Sequence, residues 1–270
     1  MEREVARIST DEISAAVQAA DPPPPWWLRD LIVASVRLPS RRLGRLLTDF
    51  DAEIGRFGIT RAARRFIDRA GARVAVEGER PRGAALVVMN HPGAYDALAS
   101  MSALGRDDVR FLARDRRFLR LLPNLTEHMI FVGASGLRAA LRFLAGGGVV
   151  VQLGAGRIEP DARFAAAGAP LLAEWPEGTG LLASRARTVV PAFVSGVHSP
   201  RAKRLPLVRW ADSRGITTIG PLLQATVPGF RDVEVTLRFG QPLELSSAVT
   251  HAERTARIRE AVRSLAPRGS

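Results

Sequence analysis

The stretch Val87-Val88-Met89-Asn90-His91-Pro92-Gly93-Ala94-Tyr95-Asp96-Ala97-Leu98 joins two unlike textures. It closes a continuous apolar run, Ala84-Ala85-Leu86-Val87-Val88-Met89, which has strand length and no polar alternation, the pattern of a strand buried on both faces. Polar turn residues follow at once, and 94–104 then reads as a helix. A buried strand running through a turn into a helix is the unit of an α/β sheet. The carboxyl ends of such strands are where these proteins place ligands and reactive groups.

Working outward, further strands are predicted at 73–78, 109–112, 129–132, 149–153, 189–194 and 233–239. Helical patterns lie between them at 118–122, 137–144 and 180–186, and a final amphipathic helix is predicted over 248–265. Gly146-Gly147-Gly148 reads as a helix carboxyl-terminal turn. No internal repeat or long linker is visible, and the one boundary falls near 70, where helices give way to strands. The expected organisation is therefore an N-terminal helical segment over 1–70 and an α/β domain over 71–270, with a mixed, largely buried central sheet and helices on both faces.

Residues 1–20 are expected to form a short polar helix, capped at Thr10 or Asp11 ahead of Ile13, Ala16 and Val17. Asp21-Pro22-Pro23-Pro24-Pro25 interrupts it with extended chain. Trp26-Trp27-Leu28, then Leu31, Ile32, Val33 and Val36, punctuated by Arg29, Arg37, Arg41, Arg42 and Arg45, read as a helix with tryptophans at its entrance and arginines after its apolar part. That is the make-up of an interfacial helix on an anionic bilayer, and equally of a helix docked on its own domain with solvated arginines. Residues 48–71 continue helically, with Phe50, Ile54, Phe57, Ala62, Phe66 and Ile67 at imperfect three-to-four spacing.

Composition narrows the functional classes. With 46% hydrophobic and 24% charged residues in 270, the chain is neither disordered, collagenous nor a pure coiled coil. The absence of cysteine excludes disulfide frameworks, thiolate zinc sites and thiol nucleophiles. The net charge of +12 is carried almost entirely by arginine, Lys203 being the only lysine. An arginine-rich genome accounts for this, as does attraction to nucleic acid or to anionic headgroups. Against nucleic acid, the arginines are spread, Tyr95 is the single tyrosine, and neither a helix-turn-helix nor a zinc signature is present. Gly154-x-Gly156 lacks the rest of a dinucleotide-binding spacing, and no Gly-x-Ser-x-Gly elbow occurs. No apolar run is long enough to span a bilayer, and the charged amino terminus lacks a signal-peptide core, so a cytoplasmic protein is expected.

The chemistry centres on His91 and Asp96. Residues five apart on a regular helix point about 140° apart and do not meet. With Pro92-Gly93 making a turn and a helix starting behind it, Asp96 can fold back onto the imidazole. A carboxylate on one ring nitrogen fixes the tautomer and leaves the other free to take a proton, the anatomy of a general base for a hydroxyl or amine. His128, His198 and His251 have no comparable setting, and nowhere do metal-binding side chains cluster, so no metal is expected.

Asn90-His91-x4-Asp96 after an apolar strand resembles the first motif of the glycerolipid acyltransferases, the 1-acylglycerol-3-phosphate acyltransferase family. The resemblance covers about residues 72–245. It implies a glycerol-3-phosphate acyltransferase-like fold, with His91 as the base that activates an acceptor hydroxyl and Asp96 as its orienter. The hydroxyl attacks a fatty-acyl thioester on coenzyme A or acyl carrier protein, a co-substrate with no further cofactor. Val76-Glu77-Gly78 is similar to an upstream block of the family. Gly133-Ala134-Ser135-Gly136-Leu137-Arg138 is similar to the second motif, with Arg142 a rival to Arg138. Gly154-Ala155-Gly156-Arg157 after Val149–Leu153 stands where the third motif binds the acceptor's phosphate, its glycines letting backbone amides approach and Arg157 gripping the anion. This block departs from the family in having no acid before Gly-Arg; Glu159 comes after it. Trp175-Pro176-Glu177-Gly178-Thr179-Gly180 spells most of the third motif but lacks the arginine and a leading strand, so 154–157 is preferred. Val189-Val190-Pro191-Ala192-Phe193-Val194 resembles the fourth block, which places Pro191 beside the acyl-donor pocket, and Leu237–Leu243 resembles the family's closing strand and turn. Substrate-binding candidates are thus Arg157, Gly156, Gly154, Arg138, Asn90 and Pro191. Backbone amides near Gly93 are candidate oxyanion donors, and an apolar channel is expected beside His91. The implied partners are the acyl carrier, a lipid acceptor and the inner face of an anionic membrane. An amine or glycolipid acceptor is the alternative, and a basic nucleic-acid-binding protein the non-enzymatic one.

Overall fold

The computed structural model describes residues 1–245 and 248–267. They form two compact units, one of 1–73, 116–125 and 198–234, the other of 74–115, 126–197 and the chain from Val235 onward. In chain order the elements are α1 Glu2–Gln18, α2 Trp26–Phe57, α3 Ile59–Ala70, β1 Arg73–Glu77, β2 Ala85–Met89, α4 Ala94–Leu104, β3 Val109–Ala113, α5 Pro123–Thr126, β4 Met129–Phe131 and α6 Ala134–Ala145. There follow β5 Val149–Leu153, α7 Gly178–Ala183, β6 Val189–Ser195, α8 Pro200–Lys203, α9 Pro206–Ser213, α10 Ile219–Thr226, β7 Glu234–Phe239 and α11 His251–Ser264.

The first unit is helical. α1 starts at Glu2, not at the expected Thr10 or Asp11. Glu2 and Glu4 complement the positive end of the helix dipole, and Thr10, in the helix interior, turns its hydroxyl to the Ala6 carbonyl at 2.9 Å instead of capping. α2 continues through Pro39, which has no N–H to give the ladder, and ends at Gly58, whose φ of 80° separates it from α3. The expected unbroken helix over 48–71 is therefore two helices. α1 approaches α2 closely at Gly44, where an added Cβ would sit 2.5 Å from the Glu2 carbonyl oxygen. Ile13, Val17, Ile32 and Val36 pack with Val208, Ala211, Ile219 and Leu222 of α9 and α10. Those last helices, unread in the sequence, close the core that the N-terminal helices cannot close alone. Asp51, buried on α2, accepts the Leu125 amide at 2.8 Å and the Asn124 side-chain amide at 2.9 Å.

The second unit holds a seven-stranded sheet in the order β1-β7-β6-β2-β5-β3-β4. β2 pairs in parallel with β5 and β6, β3 pairs in parallel with β5 and β4, and β7 runs antiparallel to β6. This is the mixed, buried α/β sheet expected from the apolar runs. All five residues of β2 are buried, as a strand hidden on both faces requires. On one face Leu86, Val88, Val150, Val189 and Phe193 pack with Ala140 and Leu144 of α6, Leu182 of α7, and Ile258 and Val262 of α11. α7 meets α11 at Gly180, where a Cβ would lie 2.0 Å from the His251 carbonyl oxygen and whose amide donates to Thr255 Oγ1. Because β2 to β6 run in one direction, the residues after Met89, Leu153 and Ser195 come together at one edge of the sheet.

Candidate active site

His91 follows β2 at that edge, and α4 starts directly after Gly93. Asp96, in the first turn of α4, lies where a carboxylate can accept from the chain before the helix, and it does so twice. Its Oδ2 takes the Gly93 amide at 2.9 Å and faces His91 Nδ1 at 2.8 Å. The Pro92-Gly93 turn thus bridges the gap that a continuous helix would leave. Asp96 is fully buried and its Oδ1 has no hydrogen-bond partner among the described residues, whereas the His91 side chain keeps 22% exposure. Imidazole Nδ1 is tied down, and Nε2 has no partner among the described residues. Burial works to lower the imidazole's pKa. The Asp96 charge and hydrogen bond, with a further contribution from the Glu159 charge, outweigh it and hold His91 above its ordinary value.

Glu159, assigned no role in the sequence, is the third side chain of the group. It is 3% exposed, and its Oε2 accepts the His91 backbone amide at 3.0 Å. The Glu159 amide in return donates to the His91 carbonyl at 2.8 Å. Oε1 accepts from the Ala173 amide at 2.8 Å and from Trp175 Nε1 at 3.0 Å. Two positions on, the buried Asp161 accepts the Gly196 and Val197 amides, each at 2.8 Å, tying the same loop to the end of β6. The sequence signal for both acids is faint: two carboxylates flank Pro160 just after a glycine turn, and nothing local shows that they point inward.

The remaining candidates take varied places. Asn90 is buried and spends both ends of its amide on the backbone of Val194, at 2.8 and 2.7 Å, fastening the end of β2 to β6. The Gly154 amide donates to the Met89 carbonyl at 2.8 Å and the Gly156 amide to Leu153 at 3.0 Å, so both are engaged within the fold. Gly154 also lets the Trp175 ring approach, since a Cβ there would lie 2.4 Å from it, and Gly156 takes a φ of 61° in the turn. Arg157, two residues from Glu159, is exposed and makes no hydrogen bond or ion pair among the described residues. Arg138 is exposed on α6. Pro191 lies within β6 and its carbonyl accepts the Gly240 amide at 2.8 Å, where the β6–β7 ladder gives way to a turn. The Gly93 amide, a candidate oxyanion donor, is taken by Asp96. In the rival stretch 175–180, Trp175 is buried against Glu159 and Thr179 accepts from Gln152 Nε2 at 2.7 Å, so both ends of the segment are built into the core while Pro176, Glu177 and Gly178 are exposed.

Two cavities of this unit are distinct from the expected apolar channel. One, of about 530 Å³, is lined by Arg80, Arg82 and Arg106, and the other, of about 260 Å³, by residues including Ala85 and Val190. Both lie towards the amino-terminal ends of β2 and β6, away from His91. What stands apolar and exposed at the carboxyl end is Val132 after β4, and Ile158 and Phe164 after β5. No group of three or more metal-binding side chains occurs among the described residues, and no helix among them is long and apolar enough to cross a membrane.

No known protein-family profile matches the sequence, and no curated protein matches it. Among solved structures, the chain is similar to the 1-acyl-sn-glycerophosphate (LPA) acyltransferase PlsC of Thermotoga maritima, with a TM-score of 0.45 and 16% identity over 84% of this chain and 100% of that one.

Proposed function

We propose that the chain is an acyltransferase that moves a fatty acyl group from a coenzyme A or acyl carrier protein thioester to the hydroxyl of a lipid acceptor. The observation that carries this is the imidazole of His91, held at Nδ1 by Asp96 with Nε2 open, at the carboxyl edge of a buried sheet. The order of motif-like segments along the chain supports it, from Asn90-His91-x4-Asp96 to the Pro191 strand.

In this mechanism Nε2 takes the acceptor's hydroxyl proton as its oxygen bonds to the thioester carbonyl carbon. The tetrahedral adduct then collapses, the carbon–sulfur bond breaks, and the imidazolium returns the proton to the departing thiolate. Asp96 holds the tautomer throughout and stabilises the transient imidazolium. Arg157, exposed and unpaired among the described residues, is the group to meet an acceptor phosphate. Val132, Ile158 and Phe164 offer apolar surface on the same edge for an acyl chain.

We assign the chain a peripheral place on an anionic membrane. α2 buries Ile32, Val36 and Ser40 on one side while Trp26, Trp27, Leu31 and Leu38 stand 72%, 55%, 60% and 56% exposed, with Arg37 and Arg41 beside them. Large apolar side chains among arginines on one helix fit an interfacial segment.

The test is thioester consumption with labelled acyl-CoA and acyl carrier protein against glycerol phosphates, amines and glycolipids. His91→Ala is expected to lose on the order of 10²–10⁴-fold in rate with the fold intact. A folded variant that keeps more than about a tenth of the activity overturns the mechanism, since that loss is below what a general base contributes.

A further inference from the structure

We infer that Glu159 is the positioning residue of this site, a buried carboxylate that clamps the His91 backbone and sets a second negative charge beside the base. The inference rests on the reading of His91 as the base. Glu159 and His91 exchange a reciprocal pair of bonds, Glu159 N to His91 O at 2.8 Å and His91 N to Glu159 Oε2 at 3.0 Å. The first pins the loop after β5 to the turn after β2; the second places the carboxylate on the residue whose ring does the chemistry.

The identity of the side chain follows from its partners. The His91 amide, the Ala173 amide and Trp175 Nε1 are all donors. Two carboxylate oxygens satisfy the set, whereas an amide has one oxygen and would turn an NH2 toward a donor. No arginine, lysine or histidine side chain pairs with Glu159 among the described residues, and its hydrogen-bond partners are neutral N–H donors. The charged groups acting on the His91 ring are Asp96 on α4 and Glu159 on the loop. Asp161 provides the contrast. It ties the same loop to Gly196 and Val197 but bonds to no atom of His91.

The experiment follows the titration of the His91 ring by NMR, assigned against His128, His198 and His251 with His91→Ala, in the wild type, Glu159→Gln and Asp161→Asn. Glu159→Gln is expected to lower the His91 midpoint, to move the acid limb of kcat/KM the same way, and to cut kcat roughly ten- to hundred-fold, the scale of a small misplacement of a reacting group. Asp161→Asn is expected to leave the midpoint in place. A folded Glu159→Gln protein with the wild-type midpoint overturns the inference whether or not kcat falls, because a merely structural role gives that result. Should Glu159→Gln not fold, Glu159→Asp decides: it keeps the charge but withdraws it from the His91 amide. A fall in kcat with KM little changed supports the clamp, and wild-type kcat overturns it. An active His91→Ala protein would sink the acyl-transfer reading, while the NMR midpoints would still measure the coupling of Glu159 to His91.

Discussion

At the residue scale the decisive contact is between His91 and Asp96. A base must be neutral to act, so with its pKa held above the ordinary value near 6.5, activity is expected to climb with pH through that raised value. Asp96→Asn removes the charge that holds it there. The acid limb of kcat/KM should therefore move to lower pH while the maximal rate falls, because an amide can stabilise the wrong tautomer. A pH–rate profile of the purified variant checks this, and an unmoved acid limb would contradict the electrostatic assignment. His91, Asp96 and the intervening turn were legible in the sequence because they are local, five residues apart on a strand-turn-helix unit. Glu159 was not: its donors lie at 91, 173 and 175, and only the folded chain brings them around one carboxylate.

At the level of elements, close approaches decide what the sheet tolerates. Gly180 brings α7 against α11 with no room for a methyl group, so Gly180→Ala must push the two apart or distort the start of α7. A loss of about 1–3 kcal/mol is expected by the cost of overpacking, read from denaturant midpoints, with activity per folded molecule unchanged because no group of the His91 site is touched. α2 makes a different prediction. Replacing Trp26 and Trp27 by alanine removes exposed apolar surface, so vesicle flotation should fall without loss of stability. Equal flotation of this variant and the wild type would remove α2 from the membrane proposal. The seven strands stood out as apolar runs of the right length, and their edges moved by a residue or so. The α2–α3 break at Gly58 and the start of α1 at Glu2 did not stand out, since a continuing apolar period hides a single left-handed glycine and an apolar stripe says little about where a helix begins.

For the whole molecule, a net charge of +12 predicts that binding to anionic vesicles is stronger than to neutral ones and weakens as salt shortens the screening length from about 10 Å at 0.1 M to about 3 Å at 1 M. Flotation across that salt range checks it, and salt-independent binding would mean that apolar insertion alone holds the chain. By itself, the sequence determined the α/β class, the seven strands, the break between helical and strand-rich chain, and the histidine–aspartate pair. Each of these is written in neighbouring residues, through hydrophobic period or turn chemistry. Tertiary structure alone decided the strand order, the recruitment of 198–234 to the helical unit, the spending of the Gly154 and Gly156 amides inside the fold, and the buried place of Glu159. Strand order and buried hydrogen bonds depend on which distant segments share a face. That choice is made by the packing of the whole chain, and no local pattern records it.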